Sequence, residues 1–382
     1  MDRRAFEHRA SDCVARDGRA GRAFLGLSTT RILLIVCCCW IGIASSDPVS
    51  SESQYPWRLP PGFPPPAVPA DNPMSEAKVA LGCSLFFETR LSVTRTYSCA
   101  SCHRPELAFT DGRALAIGSK GDTMHRGAMT LTNVAYNPAF TWASASVVTL
   151  ERQMEQPLFN EHPLEMGLKR DEAGLLAWLG EQQGYAAAFR ASFPQEAAPI
   201  TIPNVLKAIA SFERTLISGR SPFDRYVYDD DRAAFSESAR RGMRLFYSER
   251  SNCSRCHFGL NFSGPIVQRG KSPSPLFANN GSAVQGDEGL ATETKRAQDR
   301  GRFRVPTLRN IALTAPYMHD GRFATLEEVI EHYAKGGKHE GSIGTVDSQI
   351  RPLDLTAEEK SDLVAFLKNL TDAEFAKPVR CD

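Results

Sequence analysis

Apolar residues recur along this chain at helical rather than strand spacing. Between Ile202 and Ile217 they fall at Val205, Leu206, Ile209, Phe212, Leu216 and Ile217, which lays one buried stripe along a helix. A second helical pattern runs from Leu175 to Arg190, with Leu175, Leu176, Leu179 and Tyr185 as its apolar positions. Asn72-Pro73, a cap residue followed by proline, predicts a helix opening the run Met74 to Phe87. Near the C-terminus, Thr325-Leu326-Glu327-Glu328 and Thr356-Ala357-Glu358-Glu359 read as capping boxes, in which a Thr oxygen and a Glu carboxylate accept from free amides of the first turn. Alternating strand patterns are almost absent. The fold class expected is mainly α.

One stretch occurs twice. Leu81-Gly82-Cys83-Ser84-Leu85-Phe86-Phe87-Glu88-Thr89-Arg90 precedes Cys99-Ala100-Ser101-Cys102-His103, and Arg241-Gly242-Met243-Arg244-Leu245-Phe246-Tyr247-Ser248-Glu249-Arg250 precedes Cys253-Ser254-Arg255-Cys256-His257. Gly, Leu-Phe-aromatic and Arg stay in register, which predicts an internal duplication. The division expected is 72–225 and 226–382, with the junction near Ser218 to Asp231. Between His257 and the next motif, Phe258 to Arg304 is rich in Gly, Ser, Asn and charge, as in a functional loop or a mobile one.

The first 46 residues stand apart. They are Arg-rich up to residue 31, then carry one short apolar run from Ile32 to Ala44, then small residues before Asp47. This predicts a secretory signal over 1–46, with an uncleaved anchor as the alternative; the run is short of the ~20 residues needed to span a bilayer. Residues 47–71 form a Pro- and Ser-rich leader. Export would place the mature protein in the periplasm without stable membrane insertion. The 382 residues have a net charge of +1, so nothing points to nucleic acid as a partner. Of ten cysteines, Cys13, Cys37, Cys38 and Cys39 leave with the signal. Cys83 and Cys381 fall outside the two pairs; they either bridge the C-terminus to the first half or are unrelated.

Cys-x-x-Cys-His is the attachment pattern of c-type haem: two thiols one turn apart reach two vinyl groups, and the histidine that follows falls beneath the iron. A zinc knuckle and a redox dithiol are the rivals. Two copies behind a secretory signal favour two covalent haems, in two cytochrome c-like domains. Cys99, Cys102 and His103 would hold the first, and Cys253, Cys256 and His257 the second.

A further pair of segments is more specific. Phe303-Arg304-Val305-Pro306-Thr307-Leu308-Arg309-Asn310, followed by Leu313-Thr314-Ala315-Pro316-Tyr317-Met318-His319-Asp320-Gly321, resembles the signature of the bacterial dihaem cytochrome c peroxidase/MauG family. Leu150 to Gly167, with Gln153, Pro157 and Glu165, resembles the same family's peroxide pocket, and the run Pro157 to Glu165 most resembles the MbnH type of MauG-like enzyme. The similarity covers roughly Pro73 to Leu370.

The resemblance implies an open iron at His103, with Glu165 above it as acid/base, Gln153 and Pro157 lining the pocket, and Trp142 as a relay between haems. The segment after Trp142 departs from the peroxidase form. Asn133, Thr314 and Pro316 would hold a calcium ion. No histidine stands where many peroxidases block the resting haem. On the second iron, opposite His257, the position where peroxidases carry methionine is Tyr333; Met318, His332 and His339 are rivals, while His125 and His319 read as structural. A phenolate favours the oxidised metal more than a thioether does.

The implied activity is reaction with hydrogen peroxide to give a high-valent dihaem state that oxidises an aromatic residue, Trp to kynurenine, on a partner such as an MbnP-like copper-associated protein. The alternatives are a cytochrome c peroxidase supplied by a small cytochrome and a non-catalytic dihaem electron carrier.

Overall fold

The computed structural model describes residues 55–337 and 340–381. The signal region, Cys13, Cys37, Cys38, Cys39, the start of the leader and His339 lie outside the described residues. Nine helices of seven residues or more occur among those described: α1 Glu76–Phe86, α2 Leu150–Phe159, α3 Glu172–Glu181, α4 Gln183–Ser192, α5 Ile202–Glu213, α6 Pro222–Tyr228, α7 Glu237–Phe246, α8 Leu326–Ala334 and α9 Ala357–Lys368. The only sheet among them pairs β1 (Phe277–Ala278) antiparallel with β2 (Phe303–Arg304). The fold is thus helix-rich with a small sheet.

Two helix crossings organise the molecule. α1 packs on α5, and α7 packs on α9. Each crossing passes over a glycine. A Cβ at Gly82 would lie 1.9 Å from the carbonyl oxygen of Ala208, and one at Gly242 would lie 1.9 Å from that of Asp362. Only a residue without a side chain lets the backbones come this close. Around the first crossing gather Leu81, Leu85, Phe86, Val205, Ile209 and Phe212, and around the second Met243, Phe246, Phe262, Leu363 and Phe366. A buried ion pair, Arg309 Nη1 to Asp224 Oδ2 at 2.9 Å, ties α6 to the segment after β2. Each of α1 and α7 leads into a four-residue helical turn, Cys99–Cys102 and Cys253–Cys256.

Both capping boxes form: Thr325 accepts from the amide of Glu328, and Thr356 from that of Glu359. The first helix starts later than Asn72-Pro73 implies. Its cap is Ser75, because the Asn72 carboxamide is drawn inward to donate to Glu151 and to the carbonyl of Lys207. The pattern over 175–190 is two helices rather than one, broken at Gln182, whose ψ of 109° is extended. The helix over 202–217 closes at Glu213.

A disulfide joins Cys83 to Cys381, 298 residues apart. With it, Phe375 and Val379 pack against the first cluster, so the chain's last residues complete the core around α1 and α5. No described helix is long and apolar enough to cross a membrane.

Candidate active site

Each Cys-x-x-Cys-His turn opens on a cavity. The first, of about 750 Å³, is lined by Cys99, Cys102 and His103; the second, of about 230 Å³, by Cys253, Cys256 and His257. The two histidines are held alike. His103 donates from Nδ1 to the carbonyl of Phe109 at 2.9 Å, and His257 from Nδ1 to that of Phe262 at 2.8 Å. A carbonyl only accepts, so the proton sits on Nδ1 and Nε2 keeps its lone pair. Burial pushes both imidazoles below the usual histidine range, which keeps them neutral.

The thiols do not suit a redox dithiol. Burial pushes Cys102 up to about 12 and Cys256 up to about 11, away from the depressed values that make a thiolate. Nor do they suit zinc: among the described residues, no group of three or more His, Cys, Asp or Glu could hold a metal ion.

The first cavity's remaining wall comes from α2 and the segment that follows. Gln153 and Pro157 line it from α2. Pro157, inside that helix, has no N–H to donate, so the turn lacks its usual bond back to Gln153. The carbonyl of Pro157 accepts from Met166 at 2.9 Å, and that of Glu165 accepts from Ser119 at 2.7 Å. These bonds fold the segment after α2 back so that Glu165 lines the cavity. No hydrogen bond joins the Glu165 carboxyl to any described residue. Burial pushes it above the usual carboxylate range.

Gln153, Pro157, Glu165 and His103 are therefore brought together as the motif implies. His125, an exposed residue, and His319 also line this cavity, and sequence reading gave neither a place there. Burial holds His319 neutral, at about 4, and its ring stacks on Phe303 with centroids 3.8 Å apart.

Trp142 lines both cavities. Its Nε1 donates to the carbonyl of Gly127 at 2.9 Å, and its own carbonyl accepts from the Arg304 amide at 2.7 Å. Arg304 lines both cavities as well. It is 6% exposed and has no carboxylate partner; its guanidinium donates to the Thr141 carbonyl and to the Met129 sulfur. Burial alone brings it down to about 10. Glu213, at the end of α5, lines the first cavity. It is raised to about 8 by burial, and its Oε2 has no partner. No local pattern singles out Glu213, and the signature that contains Arg304 gives it no role; both stand out through burial without a counter-ion.

In the second cavity Tyr333 and Met318 lie side by side. Both accept from Asn280 Nδ2, the phenol oxygen at 3.1 Å and the sulfur at 3.2 Å. His332 is turned away: its Nε2 is 2.9 Å from the backbone carbonyl of Asn280, and it does not line the cavity. The segment Phe258 to Arg304 supplies Ala278, Asn280 and Ser282 to this wall and Val284 to Asp287 to the other, with Asp287 paired to Arg126 at 2.7 Å.

The Asn133 carboxamide is spent on Ser218, donating to its carbonyl at 2.9 Å and accepting from its amide at 2.7 Å. Thr314 and Pro316 line the second cavity, where Asn133 is absent, and the Thr314 hydroxyl donates to the Ile311 carbonyl.

The comparisons agree with this geometry. Residues 76–232 match the family model of di-haem cytochrome c peroxidase. The methylamine utilization protein MauG of Methylorubrum extorquens is 35% identical over 79% of this chain and 80% of its own length. The cytochrome-c peroxidase IdrP1 of Denitromonas iodatirespirans is 35% identical over 86% of this chain and 90% of its own. Among solved structures, a MauG-like protein associated with microbial copper homeostasis superposes with a TM-score of 0.79 at 40% identity, covering 84% of this chain and 97% of that one. The chain belongs to the di-haem cytochrome c peroxidase/MauG family, and is a haem oxidoreductase that acts with peroxide.

Proposed function

We propose that this is a periplasmic, MauG-like dihaem enzyme, exported by its N-terminal signal and built from two duplicated cytochrome c-like domains, 72–225 and 226–382. It would use hydrogen peroxide to oxidise an aromatic residue of a partner protein, Trp to kynurenine. The chemistry of each cavity fits a covalent haem: paired thiols one turn apart, an imidazole with a free Nε2, and the unpaired cation Arg304 for the anionic edge of the group. When bound, the haems supply the iron centres that meet peroxide in the first cavity and store oxidising power in the second.

The chain's own residues do the rest. Glu165 takes the proton from one peroxide oxygen and returns it to the other, so that the O–O bond breaks unevenly. Its lack of any protein hydrogen bond leaves the carboxyl free for that transfer. Gln153 and Pro157 narrow the pocket, proline offering no side-chain atom that could bind a metal. Trp142, in the wall shared by both cavities, carries electrons between them. Tyr333 serves the second centre as an oxygen ligand.

The observation that carries this reading is Tyr333 in the lining of the second cavity, together with a histidine held as the first is. The likeness to a MauG-like protein associated with copper homeostasis supports the branch and makes an MbnP-like copper-associated protein the partner to try first. The test is mass spectrometry of that partner after peroxide treatment, seeking added oxygen on Trp. An unmodified partner in the presence of active enzyme defeats the assignment.

Met318 in the same cavity favours a second reading, a cytochrome c peroxidase supplied by a small cytochrome. It requires sulfur on the second iron, which the near-infrared spectrum of the oxidised protein reveals.

A further inference from the structure

Asn280 is held so that its amide has one orientation. Its Oδ1 accepts from the Ser282 amide at 3.1 Å and the Ser282 hydroxyl at 2.6 Å. Both partners are donors, which fixes oxygen on that side and nitrogen on the other. The NH₂ group therefore faces the cavity, one step from Tyr333 and Met318. The backbone around it is pinned as well. The Asn280 carbonyl meets His332 Nε2 at 2.9 Å, next to Tyr333 on α8. Asn279 accepts from the Gly281 amide at 2.8 Å and donates to the Ile343 carbonyl at 2.8 Å. Gly281, with φ +80°, passes so close to Gly337 that a Cβ there would lie 1.5 Å from its carbonyl oxygen. One residue thus binds α8 twice, through its backbone and its side chain.

We propose that Asn280 is a positioning residue for the second centre: one N–H holds the Tyr333 oxygen in place, and the other keeps the Met318 sulfur turned onto the amide. This rests on Tyr333 as the ligand of that centre. An N–H donated to the phenol oxygen draws electron density from it and weakens its donation to a metal. The centre then sits at a higher potential than a bare phenolate ligand would give.

The experiment is redox potentiometry of the intact dihaem protein, following the second haem by its absorption. Asn280→Leu should lower the midpoint of that haem by about tenfold in the one-electron equilibrium constant, equivalent to about 59 mV. The first haem should not move. In a Tyr333→Phe background the same substitution should produce no such shift. Ser282→Ala keeps the loop's backbone bonds and removes one of the two donors that orient the amide, so it should give a smaller fall in the same direction. A midpoint that is unchanged in both variants overturns the proposal. So does one that rises, the mark of sulfur taking the place, or a fall that persists without the phenol. If the unaltered protein shows no phenolate-to-iron charge-transfer band, and Tyr333→Phe leaves its spectrum alone, the ligand reading itself fails and takes this proposal with it.

Discussion

The two cavities share their floor and differ in their far walls. Each floor is a helical turn bearing two thiols and a histidine whose Nδ1 is tied to a carbonyl five or six residues on. Each lies beyond a glycine-mediated helix crossing. In the rest of the lining, the first cavity presents a carboxyl with no partner, while the second presents a phenol and a thioether held by one amide. The first is also the roomier, about 750 Å³ against about 230 Å³. Floor and far wall thus come from separate parts of the chain, so one can be kept while the other changes.

The strongest way to break the symmetry is at the floor. Replacing Cys99 and Cys102 by Ala should remove covalent haem from the first cavity and leave it on Cys253 and Cys256, halving the haem retained after denaturing electrophoresis. At the wall, Glu165→Gln should slow the reaction with peroxide by roughly 10²- to 10⁴-fold in rapid mixing, the usual worth of a positioned acid/base. Because burial raises this carboxyl, the ionised base should appear only as pH climbs above the ordinary glutamate range. The native rate should therefore rise through that pH region, and the Gln variant should lose the dependence.

Tyr333→Met should make the second wall resemble a peroxidase. Its midpoint should rise by a sizeable part of the ~0.8 V that axial ligands span, with partner oxidation lost and peroxide still consumed. Gly82→Ala and Gly242→Ala should each force a crossing apart and cost roughly 1–3 kcal/mol in thermal unfolding. Comparable losses would show the two crossings to be equivalent. The smallest effect is expected at Glu213. Its folded-state value, about 8, exceeds that of an unfolded glutamate, so its stability contribution is complete at acid pH and is lost as pH rises through about 8. Glu213→Gln should flatten that decline in melting temperature.

Much of the floor could be read from the sequence, because five consecutive residues fix it: the turn, the thiols and the histidine are one local unit. The capping boxes were legible for the same reason. What escaped depends on distant partners. Asn72 has the composition of a cap, yet Glu151 and Lys207 claim its amide. Asn133 matched a motif position, yet Ser218 occupies it. Asn280 sits in a segment without a telling period, Glu213 on a helix read for its apolar stripe and Arg304 inside the signature; the importance of all three lies in which groups they meet or fail to meet once the chain has closed. The resemblance points to Tyr333, but nothing in the sequence points to its tether.

The disulfide from Cys83 to Cys381 has a consequence for biogenesis. Phe375, Val379 and Cys381 are synthesised long after Cys83, 298 residues separating the two cysteines, and they pack on the cluster around α1 and α5. That core cannot close until they have left the ribosome. Removing residues 375–381 should therefore be felt around α1, in the maturation of a region made much earlier.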